Sequence, residues 1–405
     1  MSSNQHIPSG YKPSPLGPIP EDWEVKRLGE VCNFLDSQRV PIKDGDRGKM
    51  QGKYPYYGAS GIIDYVNDYL FDDDLILLGE DGANILTRST PLAFLVSGKV
   101  WVNNHAHVLK TSTNHNRYYI CNYLESLSYD KYNTGTAQPK LNREICENIP
   151  ILLPNIYEQN KIADILQLWD TAIAKQTALI EQLTLRKRGL MQQLLTGKKR
   201  LKGFEGAWKR IKLGDIAERI TRKNEENNQN VVTISAQRGF VVQTDFFNKS
   251  VASEILDNYY LVHRDEFCYN KSYSNGYPMG AIKRLKTFDK AVVTTLYICF
   301  KLKEKPQTNI DFFEQYCESG LLNMELIKVA NEGGRAHGLL NVTPDDFFNM
   351  HMGVPSFEEQ TVIASVLVNA DKEIEIQKQK LAAMQEQKKG LMQVLLTGKK
   401  RIITI

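Results

Sequence analysis

Nowhere in this 405-residue chain is there an apolar run long enough to cross a bilayer, and runs such as Val292 to Phe300 are short and interrupted. No signal-peptide pattern opens the sequence, so a soluble, cytoplasmic protein with no membrane association is expected. The six cysteines, Cys32, Cys121, Cys146, Cys268, Cys299 and Cys317, are scattered without a C-x-x-C pair or a histidine at ligand spacing. That excludes a disulfide scaffold and predicts reduced, mostly buried thiols. His105 and His107 share one strand face, but no third ligand accompanies them, and no metal is assigned. Excess charge is also scarce: a net +4 is too little, by itself, to announce a nucleic-acid partner.

Catalytic signatures are missing as well. There is no G-x-x-x-x-G-K-[ST] loop, no G-x-G-x-x-G fingerprint, no G-x-S-x-G elbow, no zinc-protease helix and no deaminase zinc spacing. The Asn/Asp-Pro-Pro-aromatic tetrapeptide with which amino-methyltransferases hold a flipped base is absent too. Acidic groups such as Asp72-Asp-Asp74 and Glu80-Asp81 have no basic partner at a suggestive spacing and read as solvated turns rather than a nuclease site. The expectation is a chain without catalysis or cofactor of its own.

What is present is a repeat. Glu158-Gln159 opens a long helical pattern that closes on Gly189-Leu-Met-Gln-Gln-Leu-Leu-Thr-Gly-Lys-Lys-Arg200; Glu359-Gln360 opens another, closing on Gly390-Leu-Met-Gln-Val-Leu-Leu-Thr-Gly-Lys-Lys-Arg401. In the first, Ile162, Leu166, Trp169, Ile173, Ile180, Leu183, Leu190 and Leu194 form a 4-3-4-3 ladder interrupted by Gln176 and Lys187. In the second, Ile363, Leu367, Ala370, Ile374, Leu381, Met384, Leu391 and Leu395 do the same, interrupted by Gln377 and Lys388. So narrow a stripe is what a coiled coil buries, and Thr-Gly supplies a left-handed stop to each helix. Amphipathic helices more often lie on separate cores. Interruptions recurring at the same rungs favour two paired, equal rods, each on the order of 57 Å long. Packed antiparallel about their midpoints, they would set Gln176 opposite Leu381 and Gln377 opposite Ile180.

The fold class read from this pattern is α+β: two mixed globular domains joined and separated by two long helices forming an antiparallel coiled coil, with an internal pseudo-two-fold repeat. Residues 1–20 read as a flexible tail, 21–153 and 204–354 as the globular domains, and 154–203 and 355–405 as the helices. A helical start is expected near Glu21 to Glu30, echoed at Gly206 to Asp215. Strands are expected at Leu75–Leu78, Lys99–Val102, Val231–Ile234, Gly239–Val242 and Ala291 to Phe300, with a helix from Arg117 to Leu127. The basic runs Arg186–Arg188, Lys198–Arg200 and Lys399–Arg401 lie near the helix C-termini, where they also favour the helix dipole.

Ahead of each helix lies a glycine-rich polar loop, Thr134-Gly-Thr-Ala-Gln-Pro-Lys140 in the first half and Glu332-Gly-Gly-Arg-Ala-His-Gly338 in the second. Glycine lets backbone approach a ligand, and Gln, Lys, Arg and His are residue types that touch bases and phosphates. Tyr56, Tyr57, Asn103, Asn104 and His105, with Asn270, Lys271, Tyr273 and Arg284, mix flat rings with amide and cationic donors and are further candidates by residue type. For any one of them, a surface loop packed on the core is the plainer reading.

The Glu-Gln-x-x-Ile-Ala openings, the Gly-Leu-Met-Gln closings and the alternation of unlike globular domains with like helices resemble the specificity subunit of type I restriction-modification enzymes. The resemblance covers nearly the whole chain and is strongest in the helices. It implies two target recognition domains, each reading half of a split double-stranded DNA target. The helices would act as a ruler between them and dock two modification (methyltransferase) subunits, which restriction and translocase subunits join. S-adenosylmethionine, ATP and Mg would belong to those partners. It also implies DNA-facing loops holding Gly135, Thr136, Gln138 and Lys140, and Gly333, Gly334, Arg335 and His337. The first lacks the Arg and His of the second, so the two domains are expected to contact DNA differently. The alternative is a coiled-coil scaffold whose globular ends bind proteins.

Overall fold

The computed structural model describes residues 7–243, 256–304, 308–330 and 340–402. Two helices dominate it, Ile156–Leu194 and Phe357–Leu395, each of 39 residues. Every rung of both apolar ladders is buried or half-buried, the glutamine and lysine interruptions included. Gly197 and Gly398, at φ +68° and +72°, stop the helices in the left-handed conformation that the Thr-Gly pairs announced.

The chain forms two compact units, Met1–Thr177 with Gln379–Ile405, and Ala178–Lys378. Each therefore owns one globular lobe and part of both long helices. In the second unit Lys187 Nζ lies 2.6 Å from Asp371 Oδ1, Arg186 pairs with Glu373, and Arg200 grips Glu359 through two bonds of 2.7 Å. First-helix numbers rise as second-helix numbers fall, so the helices pack antiparallel there. In the first unit Lys388 Nζ meets Asp170 Oδ1 at 2.6 Å and Arg401 grips Glu158. These contacts are the same ones shifted by 201 positions, with donor and acceptor helices exchanged. The lysine interruptions of the two ladders are thus the cationic halves of equivalent inter-helix pins.

Each helix pair is welded to its lobe by a core. In the first unit Ile162, Leu166, Met392, Leu395 and Leu396 join Trp23, Leu28, Tyr119 and Leu152. In the second, Met191, Leu194, Leu195, Ile363 and Leu367 join Leu213, Phe312, Phe313 and Phe347. Burying one such leucine contributes roughly 1.5–3 kcal/mol. Gln159 Oε1 accepts from Asn116 N–H at 2.9 Å, as Gln360 Oε1 does from Asn309 N–H at 2.8 Å, fixing a lobe helix on each rod. The Glu-Gln openings are therefore clasps: the glutamate takes the arginine ending the other helix, and the glutamine takes the lobe.

The lobes share a frame. In the first, Glu24–Arg27 pairs antiparallel with Pro150–Leu153; in the second, Lys209–Lys212 pairs likewise with His351–Val354. The helical starts expected here are single turns, Leu28–Val31 and Leu213–Ile216, because the preceding residues are drawn into these ladders. Each lobe carries a four-stranded sheet of the same order. In the first it runs Cys32–Phe34, Ala106–Thr111, Leu75–Gly79, Ala93–Val96; in the second, Ala217–Ile220, Ile298–Leu302, Phe267–Asn270, Ala281–Arg284. The first adds a second four-stranded sheet containing Gln51–Gly58 and Lys99–Val102 in parallel, the second only strand pairs among the described residues. The run expected as one strand from Ala291 to Phe300 is two, Lys290–Val293 and Ile298–Leu302. The segment expected as a flexible tail is docked from Tyr11: Tyr11–Lys12 pairs with Ile19–Pro20, Ile19 is buried, and Tyr11 Oη donates to Gly398 O at 2.8 Å. All six cysteines are unpaired and all but Cys317 are buried.

Candidate nucleic-acid interface

Antiparallel neighbours place the loop leaving one strand beside the loop entering the next. In the first lobe Gly79 lies opposite Ala106, so Glu80–Gly82 and Asn103–His105 emerge at one end of the sheet, where Glu80 N–H donates to His105 O at 2.8 Å. The glycine-rich loop returns to the same place. Asp81 bridges to Lys140, Gly82 N–H donates to Pro139 O at 3.0 Å, and Leu141 N–H donates to Glu80 O at 2.7 Å. A Cβ on Gly135 would sit 1.8 Å from Gln138 O, so the tight fold of this loop requires glycine there. Three segments distant in sequence thus form one surface, and Asn104, Thr136, Gln138 and Lys140 are exposed on it.

Its charges are largely spent internally. Glu80 accepts from Arg39 at 2.7 Å and lies 3.3 Å from Lys140 Nζ; His105 Nδ1 is 2.7 Å from Asp81 Oδ2. Glu80 and Asp81 are therefore not free solvated turn residues: their partners arrive from distant segments. Beneath them, His107 contacts Asp36 Oδ2 and Leu141 O through its two ring nitrogens at 2.7 and 2.8 Å. Burial pulls this imidazole towards neutrality, but the hydrogen bond to Asp36 prevails and raises its pKa to about 10. Burial likewise pushes the Asp36 carboxyl up, yet His107 holds it below its ordinary range. The pair anchors the loop through Leu141 O, which leaves His107 a structural cation.

What remains available at the tip is mostly uncharged donors and acceptors, Asn104, Thr136 and Gln138, a set suited to base edges more than to phosphates. Several residues nominated by type alone fall elsewhere. Tyr56 is buried, its hydroxyl accepting from Ile42 N–H at 3.1 Å under the Arg47 guanidinium. Asn103 is buried and caps His105 N–H at 2.8 Å, while half-buried Tyr57 packs on Phe94. On the same strand half-buried Tyr54 meets Tyr69 edge-on, with the exposed Lys53 and Lys99 over the two rings.

The second lobe repeats the geometry. Lys271 follows its strand as Glu80 follows the first, and Lys271 O accepts from Leu340 N–H at 3.1 Å, the counterpart of Leu141 donating to Glu80. Gly333, Gly334, Arg335 and His337 lie outside the described residues. The loop after Asn270 exposes Tyr273 and Asn275, and Gln237 Nε2 donates to Asn275 O at 3.0 Å. Asn270 is half-buried, accepting from Ser272 N–H and donating to Ile234 O. Arg284 is held by Asp265, Asp311 and Glu314 and serves the lobe's own packing. No cluster of metal-ligating side chains occurs among the described residues, and none of their helices is long and apolar enough to cross a membrane.

Over residues 20–185 the chain matches the family described as the type I restriction modification DNA specificity domain. It is 25% identical over 417 aligned residues to the MjaVIII type I restriction enzyme specificity subunit of Methanocaldococcus jannaschii, covering 95% of this chain and 94% of that one. A type I restriction enzyme specificity subunit of Haemophilus influenzae is 34% identical over 143 residues, 35% of this chain and 36% of that relative. The crystal structure of the type I restriction-modification S subunit from M. genitalium shares the fold, with a TM-score of 0.57 at 14% identity over 98% of this chain and 99% of that one.

Proposed function

We propose that this chain is a specificity subunit of a type I restriction-modification system, which reads a two-part DNA target with its two lobes and carries methyltransferase subunits on its long helices. It is a DNA-recognition subunit with no reaction of its own. One observation carries the reading: the units share the arginine-glutamate clasps and the lysine-aspartate pins, while the described sheet-end loops expose different side chains, Asn104, Thr136 and Gln138 in one lobe and Tyr273 and Asn275 in the other. A common frame with unlike tips is what two readers of two different half-sites need. In the first lobe Asn104, Thr136, Gln138 and Lys140 are the base-facing group; in the second, Lys271, Tyr273 and Asn275 take that place.

The helices set the interval. Two helices of 39 residues, at about 1.5 Å per residue, span roughly 58 Å, which corresponds to more than one turn of duplex at about 3.4 Å per base pair. The exposed apolar side chains Tyr157, Leu168, Leu185 and Ile376 on the helices are where methyltransferase subunits would dock, bringing S-adenosylmethionine; ATP and Mg enter with the motor and nuclease subunits. The test is a footprint of the assembled complex on its methylated target, followed by insertion of one heptad into the first helix alone. Two protected segments whose separation changes with the insertion, or an assembly that fails, is the expected result. A single protected segment, or an unaltered separation in an intact complex, would sink the reading. The scaffold alternative predicts binding that barely responds to salt, whereas a reader of duplex DNA loses affinity steeply as salt rises.

A further inference from the structure

The second unit contains a cleft of about 720 Å³, floored by the core residues Met191, Ile282 and Leu322 and running from the foot of its reading loop to the long helices. One wall is the first long helix, with Thr184, Lys187, Arg188 and Gln192; another is the second, with Asp371, Ile374 and Lys378. The third is the reading loop itself, through Asn275, Gly276 and Tyr277, next to Gln237. The loop assigned to DNA and the rod are therefore two sides of one concavity.

The charges around it are not all balanced. Lys187 is spent on Asp371 at 2.6 Å, and Lys283, behind Tyr277, on Glu318 at 2.6 Å. Arg188 and Lys378 are exposed and have no carboxylate within salt-bridge distance among the described residues. Two unpaired cations facing a concave, amide-lined wall concentrate positive potential there. The pairing of Lys187 with Asp371 and of Arg186 with Glu373 sets Lys378 opposite residues near Ile180. Arg188 then stands about two helical turns away, roughly 11 Å along the axis. That spacing addresses two phosphates of one strand rather than a single anion. Gln237 and Asn275 beside them offer amides of the kind that also meet sugar and phosphate oxygens.

We infer that this cleft grips the DNA backbone next to the half-site read by the second lobe, with Arg188 and Lys378 as phosphate contacts, so that the rod binds DNA as well as spacing its readers. This rests on the DNA-reading proposal above. The experiment measures affinity of the full-length chain for a random-sequence duplex across a salt series, because phosphate contacts are independent of sequence. The variant R188Q/K378Q is compared with K175Q/K372Q, which removes the same charge from the helices away from the cleft. The cleft variant is expected to weaken binding and to flatten the slope of log K against log salt by about 2, with the control unchanged. A wild-type slope in R188Q/K378Q, or an equal loss in the control, overturns the inference while leaving DNA reading intact. If the wild-type chain itself shows no salt-dependent binding, the DNA-reading proposal falls, and this inference with it.

Discussion

The two clasps where a helix end meets a helix start are alike in plan and unequal in chemistry. In the first unit Glu158 accepts from Arg401 at 2.9 and 2.8 Å, from Trp23 Nε1 at 3.1 Å and from Ile402 N–H at 3.4 Å, while Asp22 holds the far side of Arg401 through two bonds of 2.8 and 2.7 Å. In the second, Glu359 takes Arg200 through two bonds of 2.7 Å, but Trp208 Nε1 is buried without a partner. Ala207 stands where the first unit has Asp22, and Arg200 turns its spare nitrogen to Gly206 O at 2.8 Å. The difference teaches that the arginine-glutamate bond defines the frame, since it alone survives in both. The tryptophan bond and the outer carboxylate are reinforcements that one copy keeps. The first clasp closes the chain's N-terminal segment onto its far end, a junction without covalent continuity. The second joins a helix to the lobe that directly follows it.

The sharpest way to break this comparison is to remove the glutamates. Glu158→Ala leaves the Trp23 indole N–H without its acceptor and Arg401 with Asp22 alone, and should cost roughly 3–5 kcal/mol, the range for breaking a buried pair from one side. Glu359→Ala should cost about 1–2 kcal/mol less, because the Trp208 bond is already missing. Urea unfolding followed by tryptophan fluorescence measures both. Equal losses would mean that the Trp23 bond contributes nothing and that the clasps are energetically the same.

A second contrast lies in the sheet ends. Only the first lobe, among the described residues, builds its sheet-end surface on a fully buried histidine. The His107 pKa, about 10 against an ordinary 6.5, is raised in the folded state, so its stabilisation is complete below pH 6.5 and disappears as pH rises through about 10. The first unit should therefore lose stability across that window while the second does not follow it. His107→Ala, which leaves the Asp36 carboxylate with only Val108 N–H and the more distant Arg39, should cost roughly 2–3 kcal/mol and abolish that pH dependence. Calorimetry at pH 6.5 and 9.5 resolves this, and a first-unit transition indifferent to pH would remove the buried cation from the account.

The same contrast explains what could be read from the chain beforehand. Helix bounds, stops and rung pattern were legible because they are local: period, proline-free length and Thr-Gly lie within forty consecutive residues. The rungs at Lys187 and Lys388 looked like gaps and are pins, because Asp371 and Asp170 come from the other copy. At the sheet ends, residue type picked out loops that do expose Asn104, His105, Gln138 and Tyr273, but not the orientation of individual side chains. Tyr56, Asn103 and Arg284 carry donor chemistry and spend it inward, since a pleated strand sends neighbours to opposite faces and their partners are far away in sequence. Glu80 conceals its pairing for the same reason: Arg39 and Lys140 are its neighbours only in the folded chain.

The pins should behave as equals where the clasps do not. Lys187 and Lys388 are similarly covered, and each aspartate has a second donor from its lobe, Gln315 Nε2 at 2.7 Å from Asp371 and Tyr118 Oη on Asp170. Lys187→Met and Lys388→Met should each shift stability by about 1 kcal/mol or less, in the same direction. Opposite signs would show that the two halves of the helix pair are not equivalent.

The smallest effect sharpens the comparison most, because it asks whether the weaker clasp can be completed. Asp22 is half exposed, so its pair with Arg401 sits in the range of roughly 0–1 kcal/mol, and Asp22→Ala should lose about that. Ala207→Asp places a carboxylate on the chain next to Trp208, as Asp22 stands next to Trp23. It should gain up to about 1 kcal/mol if Arg200 can exchange Gly206 O for it. Both shifts should fade in high salt, since the pairs are solvent-facing. A loss in Asp22→Ala without a gain in Ala207→Asp would mean that the backbone carbonyl already satisfies Arg200. The second clasp would then be a finished alternative rather than an incomplete copy.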